Sequence, residues 1–166
     1  MNLVALFFFP VAMAIAASSD LLTMRISNKL VLILTAGFFV VAIAANLPLQ
    51  QFAMHVLCAL IVLAVAFGLF ALGFIGGGDA KLAAATTLWL GFGATLPYLG
   101  YTAILGGVLT LLILVLRGMP LAPVLARMGW LARLHNKRSG IPYGIAMAAA
   151  GIVVYSNSAI FERLAA

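Results

Sequence analysis

"FIGGGDAKLAAAT", Phe74 to Thr86, runs three glycines into an aspartate, sets a lysine two residues further on, and has apolar sequence on both sides. As a soluble loop it would join two elements of a globular domain. As a turn at the face of a bilayer it would join two membrane spans. Composition decides for the bilayer: the 166 residues are 66% hydrophobic and 7% charged, with a mean hydropathy of +1.27. A soluble domain is about 45–50% apolar and about 25% charged. The chain has three acidic residues, Asp20, Asp79 and Glu162, and one of them falls inside this stretch.

A helix that crosses hydrocarbon needs ~20 mostly apolar residues. Six segments qualify, at roughly 2–18, 30–47, 52–75, 80–97, 99–116 and 141–159. The glycine run separates the third from the fourth, and Leu96-Pro97-Tyr98-Leu99-Gly100 predicts a tight turn between the fourth and fifth. No soluble domain fits between any two spans and no internal repeat stands out. The expectation is therefore an all-α, polytopic membrane protein with six transmembrane helices, forming one domain over 1–166. In the fifth loop Leu121, Val124, Leu125, Met128, Leu131 and Leu134 keep helical spacing. Arg127, Arg133 and Lys137 fall largely off that stripe, and Trp130 suits headgroup depth, which together predict a short interfacial helix. Such a helix serves as a basic anchor, or as a lid or docking surface beside a site.

The net charge of +6 belongs to the loops. Arg25 and Lys29 follow the first span, Lys81 follows the third, and Arg117, Arg127, Arg133, Lys137 and Arg138 follow the fifth. The loops near 48–51 and 97–99 carry no lysine or arginine. Short basic loops stay in the cytoplasm, so the odd loops face inward and both termini outward, with Arg163 the exception. This charge marks membrane orientation rather than a nucleic-acid partner. The first span resembles a signal peptide at "AMAIAASS", but its positive charges follow the apolar run instead of preceding it, which predicts a retained helix. The single cysteine, Cys58, excludes an internal disulfide and a cysteine-rich zinc site, and reads as a small apolar residue in a helix. His55 and His135 map to opposite membrane faces, where each reads as a solvated or interfacial side chain and not as one half of a metal site. The expectation is no metal and no cofactor.

Asp20 closes the first span and Asp79 opens the fourth, so both map to the cytoplasmic ends of their helices. A carboxylate near hydrocarbon is costly, about 2.5–3.5 kcal/mol at a helix centre on insertion scales, and marks a functional site by default. Two carboxyl groups held together do not both ionise easily, so one keeps a proton while the other acts as a base. That division suits hydrolysis of an amide by activated water. Gly76, Gly77 and Gly78 free the backbone for positive φ and close approach, admitting an extended peptide to Asp79. Alone, the glycine run reads first as a flexible turn with Asp79 as the N-cap of the next helix.

Gly76-Gly77-Gly78-Asp79 fits the Gly-x-Gly-Asp signature of intramembrane aspartic proteases, and "GGGDAKL" resembles the second active-site motif of bacterial prepilin peptidases. "DLLTMRISNKL", Asp20 to Leu30, is similar to that family's first motif, with Ile26-Ser27-Asn28 in place of Ile-Pro-Asn. "IPYGIAMAAAG", Ile141 to Gly151, resembles the Pro-Tyr-Gly segment that opens its last helix. The resemblance implies Asp20 and Asp79 as the catalytic pair. It implies a positioning or substrate-binding role for Gly76, Gly77, Gly78, Lys81, Asn28, Pro142, Tyr143 and Gly144. It also implies a prepilin-like substrate with a basic leader and an apolar helix, cut at the cytoplasmic face of the bacterial inner membrane, with membrane lipid and a pilus assembly machinery as neighbours and no nucleic acid. Longer members carry a cysteine-bearing cytoplasmic domain that methylates the new N-terminus; no cysteine pair is present here, and the short form resembles enzymes that mature Flp-type pilins. Lys81 reads as a partner for a carboxylate or a substrate carbonyl, or as a plain interfacial lysine. Pro142 and Tyr143, taken alone, read as a helix-start proline and an interface aromatic.

Two other classes use the same acids. In a proton- or cation-coupled transporter Asp20 and Asp79 would bind the ion, with polar residues near the midplane; Thr35, Thr86 and Thr110 are the few candidates. In a structural subunit the acids would pair with Arg25 or Lys81, and Asp→Asn substitutions would be mild.

Overall fold

The computed structural model describes residues 3–165, and every regular element among them is an α-helix. Residue 2 of the expected first span lies outside the described residues. The helices are α1 (Leu3–Thr23), α2 (Asn28–Ala44), α3 (Leu49–Ala71), α4 (Gly77–Gly118), α5 (Pro123–Ala126), α6 (Gly129–His135), α7 (Tyr143–Tyr155) and α8 (Ala159–Ala165). Three of them, α1, α3 and α4, are both long and apolar enough to cross a membrane, at 21, 23 and 42 residues. Helices α2 and α7 are apolar but shorter, at 17 and 13 residues.

The expected turn at Leu96–Gly100 is not where α4 breaks. Those residues are helical and Pro97 lies inside the second limb, while the interruption is at Gly91, with φ 67° and ψ −179°. A side chain strongly disfavours that conformation, and glycine accepts it. The side chains of Tyr98 and Thr86 meet across the break. Twelve residues along a straight helix span about 18 Å, so the two limbs fold back on one another. The break also frees the Leu88 carbonyl, which in a continuous helix would accept from residue 92. His55 of α3 takes it instead, its Nδ1–H donating to Leu88 O at 2.8 Å. One turn along α3, Cys58 Sγ lies 3.2 Å from Thr95 Oγ1, whose hydroxyl donates to Gly91 O at 2.7 Å. His55 is thus buried and structural rather than solvated as expected, and Cys58 is buried in a helix as read.

The first limb of α4 is the centre of the molecule. Every residue from Leu82 to Gly91 is buried, as a helix enclosed on all faces requires. Trp89 anchors it: the rings of Phe9, Phe38 and Tyr155 lie 5.5, 5.9 and 6.3 Å from the Trp89 ring, joining α1, α2 and α7. The indole N–H donates to Leu34 O at 2.9 Å, so this buried ring carries no unpaired donor. Helix α7 reaches its place through Gly151, where a Cβ would fall 3.1 Å from Met13 and 3.3 Å from Thr86. Small residues let helix backbones approach this closely.

Two further expectations are corrected. The stripe from Leu121 to Leu134 forms two short helices, α5 and α6, because Met128 between them takes φ −81° and ψ 106°. The last expected span, 141–159, ends early: α7 stops at Tyr155, and α8 starts with the Phe161 N–H donating to Ser158 Oγ at 3.2 Å. Ile160 and Leu164 of α8 then join the core, which accounts for the change of direction.

Candidate active site

Asp20 lies one turn before the end of α1 and is buried. The chain leaves α1 through Met24, at φ 54°, whose N–H returns to Asp20 O at 2.8 Å. That is a left-handed helix stop made without glycine. Two hydroxyls hold the turn that follows: Ser19 Oγ and Thr23 Oγ1 donate to Arg25 O at 3.0 and 3.2 Å. Ser27 then caps α2, its Oγ accepting from Leu30 N–H at 3.2 Å. Where the family motif has proline, the serine thus starts the helix by hydrogen bonding. Neither Ser19 nor Thr23 stood out in the sequence, where hydroxyls at the end of an apolar run carry no distinctive pattern.

Asp79 is the third residue of α4 and half-buried. The N-cap is Gly76, not Asp79, and the carboxylate reaches back toward the Gly76 backbone. An acid at this position that turns to the N-cap is one half of a capping box. The glycine run does not use positive φ, since Gly76 is extended at φ −73° and Gly77 and Gly78 are helical. Its use is closeness. A Cβ at Gly76 would fall 2.9 Å from Asp79 Oδ2, one at Gly77 3.2 Å from the Phe70 ring, and one at Gly78 3.3 Å from Cβ of Ile26. Gly78 therefore brings the first motif's loop against the second motif.

The third motif closes on the first. Pro142 is buried and forms the N-cap of α7, Tyr143 is its first helical residue, and Gly144 its second. The opening N–H groups of a helix have no acceptor within it. Gly144 N–H donates to Asp20 Oδ2 at 2.7 Å. A Cβ on Gly144 would lie 2.8 Å from the same oxygen, so only glycine leaves the carboxylate its place. The Tyr143 ring packs on α4 at Gly106, where a Cβ would collide with it. Asp20 and Asp79 stand close enough for the charge of one to act on the other. Lys81 meets neither acid: its Nζ donates to Asn28 Oδ1 at 3.0 Å on the exposed side, tying the start of α4 to the start of α2.

A cavity of about 1380 Å³ opens beside Asp79. Gly76, Asp79, Tyr98, Arg117 and Tyr143 are among the residues that line it, and Leu69 and Leu99 form part of its apolar wall. It exceeds the roughly 300–1,000 Å³ of a small-molecule site. The Tyr98 hydroxyl is buried in its wall, facing Thr86 without a hydrogen bond of good geometry among the described residues. Arg117, counted in the sequence as a loop cation, is the last-turn residue of α4 and is buried. A smaller apolar groove of about 570 Å³ lies between α1 and α2. Among the described residues no three His, Cys, Asp or Glu side chains are grouped to hold a metal ion.

A family model described as the type IV leader peptidase family matches residues 7–111, which include both aspartates and stop short of Pro142, Tyr143 and Gly144. No curated protein and no solved structure matches the chain.

Proposed function

This chain belongs to the type IV leader peptidase family, and from that premise we propose that it is an aspartic endopeptidase that removes the basic leader from prepilin-like precursors, with Asp20 and Asp79 as its catalytic pair. The observation that carries the reading is the convergence of three distant motifs: Gly144 N–H on the Asp20 carboxylate, and Gly78, next to Asp79, packed on Ile26 of the first motif.

The chemistry follows from the pair. One aspartate, ionised, takes a proton from a water whose oxygen attacks the scissile carbonyl carbon. The other, protonated, hydrogen-bonds the carbonyl oxygen as charge develops there. The aspartate that took the water proton then passes it to the leaving nitrogen and the C–N bond breaks, giving a leader with a new carboxylate and a mature chain with a free amine. A general acid and base in such positions contribute about 10²–10⁴-fold. Asp20, fixed by a backbone N–H, and Asp79, open to the cavity, are environments different enough to divide the two roles. The cavity size suits a peptide segment, and its mixed lining suits a polar stretch followed by an apolar helix.

The same reading extends to the membrane. In it the chain is one domain crossing the bacterial inner membrane six times, through α1, α2, α3, the two limbs of α4, and α7. The carboxylates lie at the cytoplasmic side, and α5 and α6 lie in the interface. The positions of Arg25, Lys29, Lys81 and Arg117 at the Asp20 and Asp79 ends of their helices support that orientation. The resemblance to enzymes that mature Flp-type pilins makes such a pilin the substrate to test.

Co-expression with an Flp-type prepilin, followed by gel shift and N-terminal sequencing of the product, tests the proposal. Wild type is expected to cut after the leader. Asp20→Asn and Asp79→Asn, at matched membrane levels, are expected to lose about 100- to 10,000-fold of the rate. Equal processing by all three chains would remove the carboxylates from the mechanism.

A further inference from the structure

Arg117 is a buried cation that the chemistry above does not use. It ends the second limb of α4, and its guanidinium goes to backbone carbonyls: Nε–H donates to Leu134 O at 2.7 Å and Nη2–H to Gly140 O at 2.8 Å. Those carbonyls stand at the two ends of the turn between α6 and α7. Gly140 is four residues before Gly144, and the chain between them is stiffened by Pro142, by the Tyr143 N–H donating to Ile141 O at 2.9 Å, and by the Tyr143 ring seated on Gly106. The α6 side of the turn is tied as well, since Arg133 Nη2–H donates to Leu22 O at 3.1 Å, two residues past Asp20.

We infer that Arg117 is a positioning residue for the carboxylate pair. By gripping both ends of the 134–140 turn it sets the start of α7, and so holds the Gly144 N–H on Asp20. The planar guanidinium suits this because its fork reaches two acceptors at once in fixed directions, whereas an ammonium is a single point donor group on a flexible stem. Without it the carbonyls of Leu134 and Gly140 would lose the one donor group that ties them together, and the segment between them would be free to relax toward water. The gap this opens at Asp20 need be only about 1 Å to cost about 100-fold in rate. Arg117 borders the cavity, but its Nε–H and Nη2–H are spent on the two carbonyls, so a residue that acts through the turn shows its loss in kcat, whereas one that holds substrate would show it in KM.

The kinetic part rests on the leader-peptidase reading, and the structural part does not. The test is therefore hydrogen exchange at the Gly144 amide in the full-length protein in nanodiscs, with cleavage kinetics beside it. Four chains are compared: wild type, Arg117→Gln, Arg117→Lys, and Arg127→Gln as a control on an exposed loop cation. In Arg117→Gln the Gly144 amide is expected to exchange at least about tenfold faster while the first limb of α4 keeps its protection. Its kcat is expected to fall about 10- to 100-fold with KM within about twofold. Arg117→Lys should fall between, and Arg127→Gln should match wild type. Wild-type exchange at Gly144 in Arg117→Gln overturns the inference, as does a loss that sits in KM. If Arg117→Gln does not fold, Arg117→Lys decides by the same amide. Faster exchange in a chain whose wild type cuts no prepilin would leave the clamp standing and sink the peptidase reading alone.

Discussion

Gly144 has no side chain where Asp20 Oδ2 stands 2.8 Å from the position a Cβ would take. Alanine there would favour the helix by about 0.5–1 kcal/mol through backbone entropy, yet it would push the carboxylate off the N–H that holds it. The displaced carboxyl is buried and loses its donor, at about 1–3 kcal/mol, which outweighs the entropy gain. Gly144→Ala is expected to lower the thermal midpoint in detergent modestly while prepilin cleavage by the folded protein falls about 100-fold; a variant that cuts normally would show that Asp20 does not need this seat. At this scale the two acids were legible from scarcity alone, since three acids in so apolar a chain are conspicuous. Gly76, Gly77 and Gly78 were legible as candidates but not in their backbone geometry, which gives close approach and not positive φ. Arg117 was not legible. A cation at the end of an apolar run looks like an orientation signal, and nothing local reveals that the carbonyls of Leu134 and Gly140 will fold back onto it.

Among elements, α4 shows where local signals ran out. Between residues 91 and 100 the chain offers Gly91, Gly93, Pro97 and Gly100 as breakers. The tight turn read at Pro97 was reasonable by propensity, since an interior proline forfeits a hydrogen bond and bends a helix. The break at Gly91 wins because α3 supplies what a break there lacks, with His55 on the freed Leu88 carbonyl and the Cys58–Thr95 contact beside it. Gly91 thus carries two constraints, a positive φ and an imidazole 2.9 Å from where its Cβ would be. Gly91→Ala is expected to destabilise the fold by about 1–3 kcal/mol, read as a lower thermal midpoint in detergent. An unchanged midpoint would mean that the reversal does not depend on this residue. The same limit applies at Met128 and Tyr155, where an apolar stripe continues past the point at which the helix stops.

For the whole molecule, the proposed six crossings make a labelling prediction. In a Cys58→Ala background, Gln50→Cys is expected to react with an impermeant maleimide in intact spheroplasts, and Asn136→Cys only after permeabilisation. The reverse pattern would invert the orientation and move the carboxylates to the outer face. Both positions are exposed, so reactivity reports sidedness and not burial. Membrane residence, an all-helical chain and the sign of its loops were determined by the sequence itself, because hydropathy and charge are sums along the chain that need no partner to be read. The tertiary structure alone decided which groups meet. Asp20 and the Gly144 N–H are 124 residues apart, and Lys81 and Asn28 are 53 apart. Such pairs form because Trp89, Gly151 and Gly78 let α1, α2, α4 and α7 pack closely around one buried limb. A contact of that kind is the product of several helices fitting at once, and it leaves no periodicity in any one of them.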